Sequence, residues 1–96
     1  MKNKADAHLE VCKSLNNIYK VKNKDYGDSF GKSYKEYGMT MACIRLEDKL
    51  NRLKALNRNG KAEVKDESAI DTLKDLANYA IMTVIEMEEN DVRVES

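Results

Sequence analysis

The 96-residue sequence contains no proline and only four glycines, the two residues that most often interrupt helices. Charged residues make up 35% of the chain, and most of them are depleted in strands. This composition favours helices and disfavours a β-rich fold. A chain of this length forms one domain and buries only about 60–65% of its unfolded surface, so we expect it to associate with further copies of itself.

The sequence has no excess charge of either sign, because 17 basic residues balance 17 acidic ones. Proteins that bind nucleic-acid backbones usually carry a basic excess or stripe, so generic nucleic-acid binding is not expected. No apolar run approaches the roughly 18 residues that span a bilayer, and residues 1–4 are not followed by the apolar segment of a signal peptide. We therefore expect a cytoplasmic protein without membrane contact.

Cysteine and histidine are too scarce to indicate a zinc site. Cys12 and Cys43 lie 31 residues apart without a CxxC motif, and we expect both to be reduced and buried. His8 is the only histidine. It has no nucleophile motif nearby, so serine–histidine catalysis has no support and a surface position is expected. Phosphate loops of the Walker or Rossmann type are also absent.

Helical spacing of apolar residues predicts one all-α domain over residues 1–96, a small bundle of three long helices and one short helix. The predicted helices cover residues 5–22, 29–37, 39–58 and 67–89, with a loop at 23–28, a charged connection at 61–66 and frayed ends at 1–4 and 90–96. Asp28 or Ser29 is expected to cap the short helix, and Gly38 to end it.

Two helices carry clear apolar stripes. On the third helix the stripe comprises Met39, Cys43, Leu46, Leu50, Leu53 and Leu56. The stripe on the last helix comprises Ile70, Leu73, Ala77, Ala80, Ile81, Val84 and Ile85. This second stripe is the strongest amphipathic signal in the chain.

The same two helices carry polar rows that a core does not explain. The row on the last helix is Glu67, Asp71, Asp75 and Asn78, and the row on the third helix is Arg45, Asp48, Lys49 and Arg52. Each follows steps of one, three or four residues, which place its members along one face. The rows either pair with each other as solvated salt bridges or form a triphosphate–magnesium site, with carboxylates on Mg²⁺ and cations on the phosphates.

Three segments, "YKVKNKDYGDSF", "RLEDKLNRLKAL" and "DESAIDTLKDLANYAIM", resemble in order and spacing the nucleotide modification associated domain 1 family, which is common in viral genomes and bacterial mobile elements. The family is similar to the MazG-like all-α nucleoside triphosphate pyrophosphatases. That similarity implies helical units completed by oligomerisation, which hold a nucleotide between helices and cleave it with magnesium to a monophosphate and pyrophosphate.

The acidic motifs of the MazG-like group are only partly present. Asp75 and Tyr79 match the end of the last-helix motif, but the position of its preceding acid is Thr72. Glu47 and Asp48 match an acidic pair whose third member falls on Asn51. Fewer acids and additional arginines shift the expectation from hydrolysis toward binding.

Candidate roles follow from the rows and the resemblance. Asp71 and Asp75 are the catalytic candidates, and Mg²⁺ is the expected cofactor. The candidate magnesium ligands are Asp48, Glu67, Asp71 and Asp75. The candidate phosphate-binding residues are Arg45, Lys49 and Arg52, with Lys22 and Lys24 as additions if the first loop folds over the site. Asn78 reads a base edge or sugar, or forms an interhelical hydrogen bond. Asp25, Tyr26 and Asp28 are candidates at the rim of the site, whereas Tyr19, Tyr34 and Tyr79 are expected in the core.

Two functions from different classes fit this sequence. The first is an oligomeric protein, a homodimer or larger, that binds a phosphorylated nucleotide and hydrolyses it if the acids assemble. The second is a non-catalytic helical interaction protein, such as a viral inhibitor, an adaptor or a nucleotide sponge, whose polar rows are only ion pairs.

Overall fold

The computed structural model describes the backbone of residues 3–59 and 67–95, and the side chains of residues 3–59 and 68–89. The described residues form four helices: α1 (Lys4–Tyr26), α2 (Ser29–Tyr37), α3 (Met39–Arg58) and α4 (Glu67–Glu95). No strand occurs in the described ranges. The prediction of an all-α fold with three long helices and one short helix is confirmed. The connection predicted at 61–66 lies outside the described residues.

The end of α1 lies beyond its predicted position. The helix begins at the cap Asn3, whose side chain accepts a hydrogen bond from the backbone N–H of Asp6 at 2.8 Å. It then continues to Tyr26 instead of ending near residue 22. The residues after Lys22 can all adopt helical backbone angles, so nothing ends the helix before Gly27.

Gly27 and Gly38 provide the two backbone breaks around α2. Their φ and ψ angles are 64° and −158° for Gly27, and 71° and −155° for Gly38. This region of backbone space is essentially restricted to glycine. The N–H of Gly38 donates to the carbonyl of Tyr34 at 2.7 Å, so the predicted end of the short helix is confirmed.

Asp28, one of the two capping residues that the sequence predicts, caps α2. Its Oδ1 accepts a hydrogen bond from the backbone N–H of Gly31 at 3.2 Å. A Cβ atom at Gly31 would collide with this carboxylate, so glycine allows the cap to approach the first turn closely. The cap fixes the direction in which α2 leaves the end of α1.

The last helix holds the fold together, since α4 contacts α1, α2 and α3, and its contact with α3 is the most extensive. The α4 residues that are most buried are Ala69, Thr72, Asn78, Thr83 and Glu86. Only the first of these is apolar. Helix α4 extends to Glu95, beyond the end predicted near residue 89.

The strongest apolar stripe does not form the core of the chain. Ile70, Leu73, Ile81, Val84 and Ile85 on α4 are all exposed. Amphipathic spacing identifies an apolar face, but it does not identify what covers that face. On α3 the stripe is shifted, because Met41 and Ala42 are buried whereas Met39 and Leu50 are exposed.

The buried apolar core is small for a chain of this size. Among the residues whose side chains the structure describes, the buried hydrophobic ones are Leu15, Met41, Ala42 and Ala69. The accessible surface is 7477 Å², whereas a folded monomer of 11.0 kDa exposes about 5,600 Å². The Cα radius of gyration is 15.4 Å, against about 13 Å for a compact domain of 100 residues. The chain therefore leaves more surface open than a typical monomer.

The expectation that both cysteines are buried is wrong. Cys12 and Cys43 are reduced and exposed, because α1 and α3 turn other residues toward α4. His8 is exposed as predicted, and its Nδ1 lies 3.7 Å from the Sγ of Cys12. In the described part of the chain, no helix has the length and apolar character required to cross a membrane.

Candidate functional site

A cleft of about 310 Å³ lies between the end of α1, the start of α2 and the middle of α4. We call it the aromatic cleft. It is lined by Tyr19, Lys22, Asn23, Tyr26, Gly27, Asp28, Ser29, Phe30, Asp75, Asn78, Tyr79 and Met82. Four of these side chains carry aromatic rings. The volume lies at the lower end of the roughly 300–1,000 Å³ typical of small-molecule sites.

Phe30 and Tyr79 form part of the wall of the aromatic cleft. Their ring centroids are 5.9 Å apart and their planes are inclined by 31°. Tyr79 is half-buried, so the α2 ring limits its movement, whereas Tyr26 at the end of α1 is 71% exposed. The cleft therefore combines a fixed aromatic wall with a more exposed ring at its rim.

The segment that joins α1 to α2 contributes to this rim. Tyr26 and Asp28, both predicted at the rim, line the cleft together with Gly27. Asp25 does not belong to the lining. Asp28 also caps α2, so one residue both caps the helix and lines the cleft.

Asp75 is ion-paired with lysines from two other helices. Its Oδ1 lies 3.3 Å from Nζ of Lys22 on α1, and its Oδ2 lies 3.2 Å from Nζ of Lys49 on α3. The Asp75 side chain is 26% exposed. The ion-pair alternative for the polar rows is therefore realised at Lys49 and Asp75, and this carboxylate links three helices at the edge of the aromatic cleft.

Asn78 forms the interhelical hydrogen bond that was one of its two predicted roles. Its Nδ2 donates to the backbone carbonyl of Leu15 on α1 at 3.1 Å, and the residue is buried. An asparagine side chain has two N–H donors and one carbonyl acceptor. Asn78 also lines the aromatic cleft, so it joins the α1–α4 packing to the cleft wall.

The basic row of α3 lines a second cleft of about 280 Å³, which we call the basic cleft. It is formed by Arg45, Asp48, Lys49, Arg52 and Tyr79. The predicted row is thus brought together on one surface. Tyr79 lines both clefts, and the Lys49–Asp75 ion pair connects a residue of the basic cleft to one of the aromatic cleft.

The predicted magnesium ligands do not form a cluster in the described residues. In that part of the chain, no three His, Cys, Asp or Glu side chains are close enough together to hold a metal ion. Asp71 is exposed and belongs to the lining of neither cleft. The Glu67 side chain lies outside the described residues. Asp75 is already paired with Lys22 and Lys49.

Comparison with known families identifies the chain. A sequence model described as nucleotide modification associated domain 1 matches residues 22–87. The chain belongs to the nucleotide modification associated domain 1 family. The matched residues include every residue that lines the basic cleft. They also include every residue that lines the aromatic cleft except Tyr19. No curated protein and no solved structure matches the chain. The MazG-like relationship remains a prediction.

Sequence reasoning missed the aromatic character of the main cleft. Tyr19 and Tyr79 were expected in the core, and the predicted site did not include Phe30. A usable signal is present on α1, where Tyr19, Lys22 and Tyr26 follow helical steps of three and four residues along one face. That face was divided between a helix and a predicted loop, so its continuity was not recognised.

Proposed function

We propose that this protein binds a single phosphorylated nucleotide, with the base in the aromatic cleft and the phosphates at the basic cleft. The observation that supports this most strongly is that Tyr79 lines both clefts. A ligand with one flat apolar end and one anionic end fits two adjoining surfaces of this kind. The family's association with nucleotide modification is consistent with this ligand class.

The aromatic cleft suits a nucleobase because all of the bases can stack on aromatic rings. Phe30 and Tyr79 offer a fixed wall, and Tyr26 is exposed at the rim. Asp28 and Asn78 also line the cleft, and their polar atoms are suited to hydrogen bonding with a base edge or a sugar. The cleft volume favours one nucleoside over a longer polymer.

The basic cleft suits phosphate groups because arginine guanidinium groups bind phosphate oxygens in a bidentate manner. Arg45 and Arg52 are exposed, and Lys49 lies between them in the row. Asp75 forms ion pairs with the ammonium groups of Lys22 and Lys49. The overall charge is zero, so this local concentration of cations is better matched to one nucleotide than to a nucleic-acid backbone.

Magnesium-dependent hydrolysis to a monophosphate and pyrophosphate is a further step, and the MazG-like resemblance is its main support. Magnesium is usually held by one or two carboxylates together with substrate phosphates. Asp28 and Asp75 line the aromatic cleft, but Asp28 caps α2 and Asp75 is paired with two lysines. These carboxylates do not provide a ready-made metal site.

Thermal unfolding of the purified protein with a panel of nucleoside mono-, di- and triphosphates tests this proposal. We expect at least one nucleotide to raise the midpoint, since a ligand at 100 times its Kd stabilises the folded state by about 2.7 kcal/mol. Pyrophosphate release with and without Mg²⁺ is measured in the same samples. Stabilisation without release indicates binding alone. If no nucleotide in the panel raises the unfolding midpoint, the proposal is contradicted.

The second candidate function is a helical interaction protein without a nucleotide ligand. It is favoured by the exposed apolar side chains on α4, which are typical of a surface that another protein covers. The two functions predict different results in the nucleotide panel, because an interaction protein gains no stability from any of its members.

A further inference from the structure

A small recess adjoins the aromatic cleft where α1, the start of α2 and α4 meet. Its volume is about 10 Å³, and we call it the Glu86 recess. Four residues that line the aromatic cleft also line this recess, and Ile85 and Glu86 complete it. The shared residues are Tyr19, Asp28, Phe30 and Met82. A volume of this size admits about one group as large as a water molecule.

Glu86 gives the recess an acceptor for hydrogen bonds. The residue is 8% exposed, and in the described part of the chain it is the only buried residue with a charged side chain. Burying a carboxylate is costly unless hydrogen-bond donors or cations satisfy it. Glu86 takes part in a polar interaction within the protein. An ionised carboxylate has about four acceptor sites, so that interaction is compatible with a further hydrogen bond from a ligand in the recess.

The Glu86 recess continues the line of the two clefts along α4. Tyr79, Met82 and Glu86 follow steps of three and four residues, which place them along one face. Tyr79 lines the basic and aromatic clefts, Met82 the aromatic cleft and the recess, and Glu86 the recess alone. Glu86 comes seven residues after Tyr79, about 10 Å along the helix axis. The three surfaces therefore follow the order of phosphates, base and base edge in a nucleotide.

A base with an exocyclic amino group matches this acceptor. Adenine, cytosine and guanine each carry such a group, and glutamate and aspartate accept hydrogen bonds from base amino groups. Uracil and hypoxanthine carry an oxo group in place of the amino group of cytosine and adenine. An ionised carboxylate only accepts hydrogen bonds, so an oxo group in the recess would bring two acceptors together. Both groups are about as large as a water molecule, so their chemistry decides between them.

We infer that the Glu86 recess selects nucleotides whose base carries an exocyclic amino group, with the amino group donating to Glu86 while the ring stacks in the aromatic cleft. Asp28 lines both spaces and adds a second carboxylate near the same edge of the base. This selectivity rests on the proposed function, because it concerns the base of the same nucleotide. It makes Glu86 a specificity-determining residue of the site.

Titration calorimetry of the full chain with pairs of nucleoside triphosphates tests the selectivity. The pairs are adenosine and inosine, cytidine and uridine, and guanosine and inosine triphosphates. We expect at least one amino-bearing nucleotide to bind about tenfold or more tightly than its partner, the effect of one hydrogen bond to a charged group. Binding without such a preference in any pair, or tightest binding of uridine or inosine triphosphate, would overturn the selectivity and leave the proposed function intact. Binding of none of these nucleotides would contradict both.

Replacement of Glu86 by glutamine tests whether its carboxylate causes the preference. Glu86→Gln keeps the size of the side chain but replaces one acceptor oxygen with an NH₂ donor. The preference for the amino-bearing nucleotide should fall about tenfold. It is a ratio of two affinities measured on one variant, so a loss of stability alone does not abolish it. The wild-type pairs decide the selectivity even if this variant folds poorly.

The matched control is Glu88→Gln on the same helix. Glu88 is exposed and lines neither cleft nor the Glu86 recess, so the preference should equal that of the wild type. An unchanged preference in Glu86→Gln, or an equal loss in Glu86→Gln and Glu88→Gln, would overturn the role of Glu86.

Discussion

Nζ of Lys49 on α3 lies 3.2 Å from Oδ2 of Asp75 on α4, where the basic and aromatic clefts adjoin. Lys22 from α1 approaches the other oxygen of the same carboxylate at 3.3 Å. The pair therefore has two consequences. It ties α3 to α4 in the fold, and it holds an ammonium group beside the proposed path of the phosphates.

Replacement of Lys49 by methionine should weaken nucleotide binding much more than it weakens the fold. Ion pairs with appreciable exposure contribute about 0–1 kcal/mol to stability, and methionine is a strong helix former. A hydrogen bond to a charged group is worth about 1.5–3 kcal/mol, so we expect the Kd of a bound triphosphate to rise about tenfold or more. Titration calorimetry and urea unfolding measure the two effects.

The matched control for this change is Lys54→Met. Lys54 lies on the same helix, is exposed and lines neither cleft. It should leave nucleotide affinity unchanged. Equal losses of affinity in the two variants would indicate a general effect of positive charge instead of a contact at Lys49.

Tyr79→Leu should reduce binding of the base. The substitution removes the ring that faces Phe30 and is shared by both clefts, and an aromatic pair contributes about 0.5–1.5 kcal/mol to stability. Stacking of one base on an aromatic ring is worth about 1–3 kcal/mol, so affinity for a nucleoside should fall at least severalfold. Fluorescence titration with a nucleoside that lacks phosphates isolates this contribution.

Tyr37→Leu provides the comparison for Tyr79→Leu. Tyr37 is on α2, is 64% exposed and lines neither cleft. Nucleoside binding should be the same as in the wild type. If Tyr79→Leu and Tyr37→Leu bind the nucleoside equally well, the base does not occupy the aromatic cleft.

Alanine substitutions at Gly27 and Gly38 distinguish a loss of stability caused by backbone strain from a change in ligand affinity at the aromatic cleft. Alanine at either Gly27 or Gly38 must adopt a backbone region that is essentially restricted to glycine, which costs about 1–3 kcal/mol. No atom lies within 4 Å of a Cβ placed at either position, so the cost is conformational. Both variants should lose similar stability in urea unfolding, but only Gly27→Ala should alter ligand affinity. Equal changes in ligand affinity in the Gly27→Ala and Gly38→Ala variants would contradict a role for Gly27 at the rim of the aromatic cleft.

Two substitutions separate the contribution of the Asp28 cap to stability from the contribution of its charge. Loss of a cap costs about 0.5–2 kcal/mol, whereas asparagine caps a helix about as well as aspartate. Asp28→Ala should therefore destabilise the protein by about 1 kcal/mol, and Asp28→Asn should unfold at the same urea concentration as the wild type within error. A comparable loss in both variants would show that the carboxylate stabilises the fold by something other than the cap.

The sequence predicted the helices well because their causes are local. The absence of proline allowed long helices, and the glycine before Met39 together with the Asp28 cap fixed the limits of α2 and the start of α3. The end of α1 was predicted near residue 22, too early for a helix that reaches Tyr26. Polar residues such as Lys24 and Asp25 are common in loops. They do not end a helix, however, because they can also adopt helical backbone angles.

The site was less predictable because it depends on tertiary contacts. The row of Arg45, Lys49 and Arg52 was recognisable, since its members lie on one helix. The partners of Asp75 come from α1 and α3, and the cleft around Phe30 depends on how α2 returns toward α4. Spacing along one helix does not contain this information. For the same reason the sequence predicted the apolar stripe of α4 but did not predict that the stripe is exposed.

The most direct test of the two-cleft account is to compare the affinities of a nucleoside, inorganic triphosphate and the corresponding nucleoside triphosphate by titration calorimetry. If Tyr79 joins one continuous site, the nucleoside and the inorganic triphosphate should each bind weakly. The intact nucleotide should then bind more tightly than either and compete with both. A nucleotide that binds no better than inorganic triphosphate, or that does not displace the nucleoside, would contradict the account.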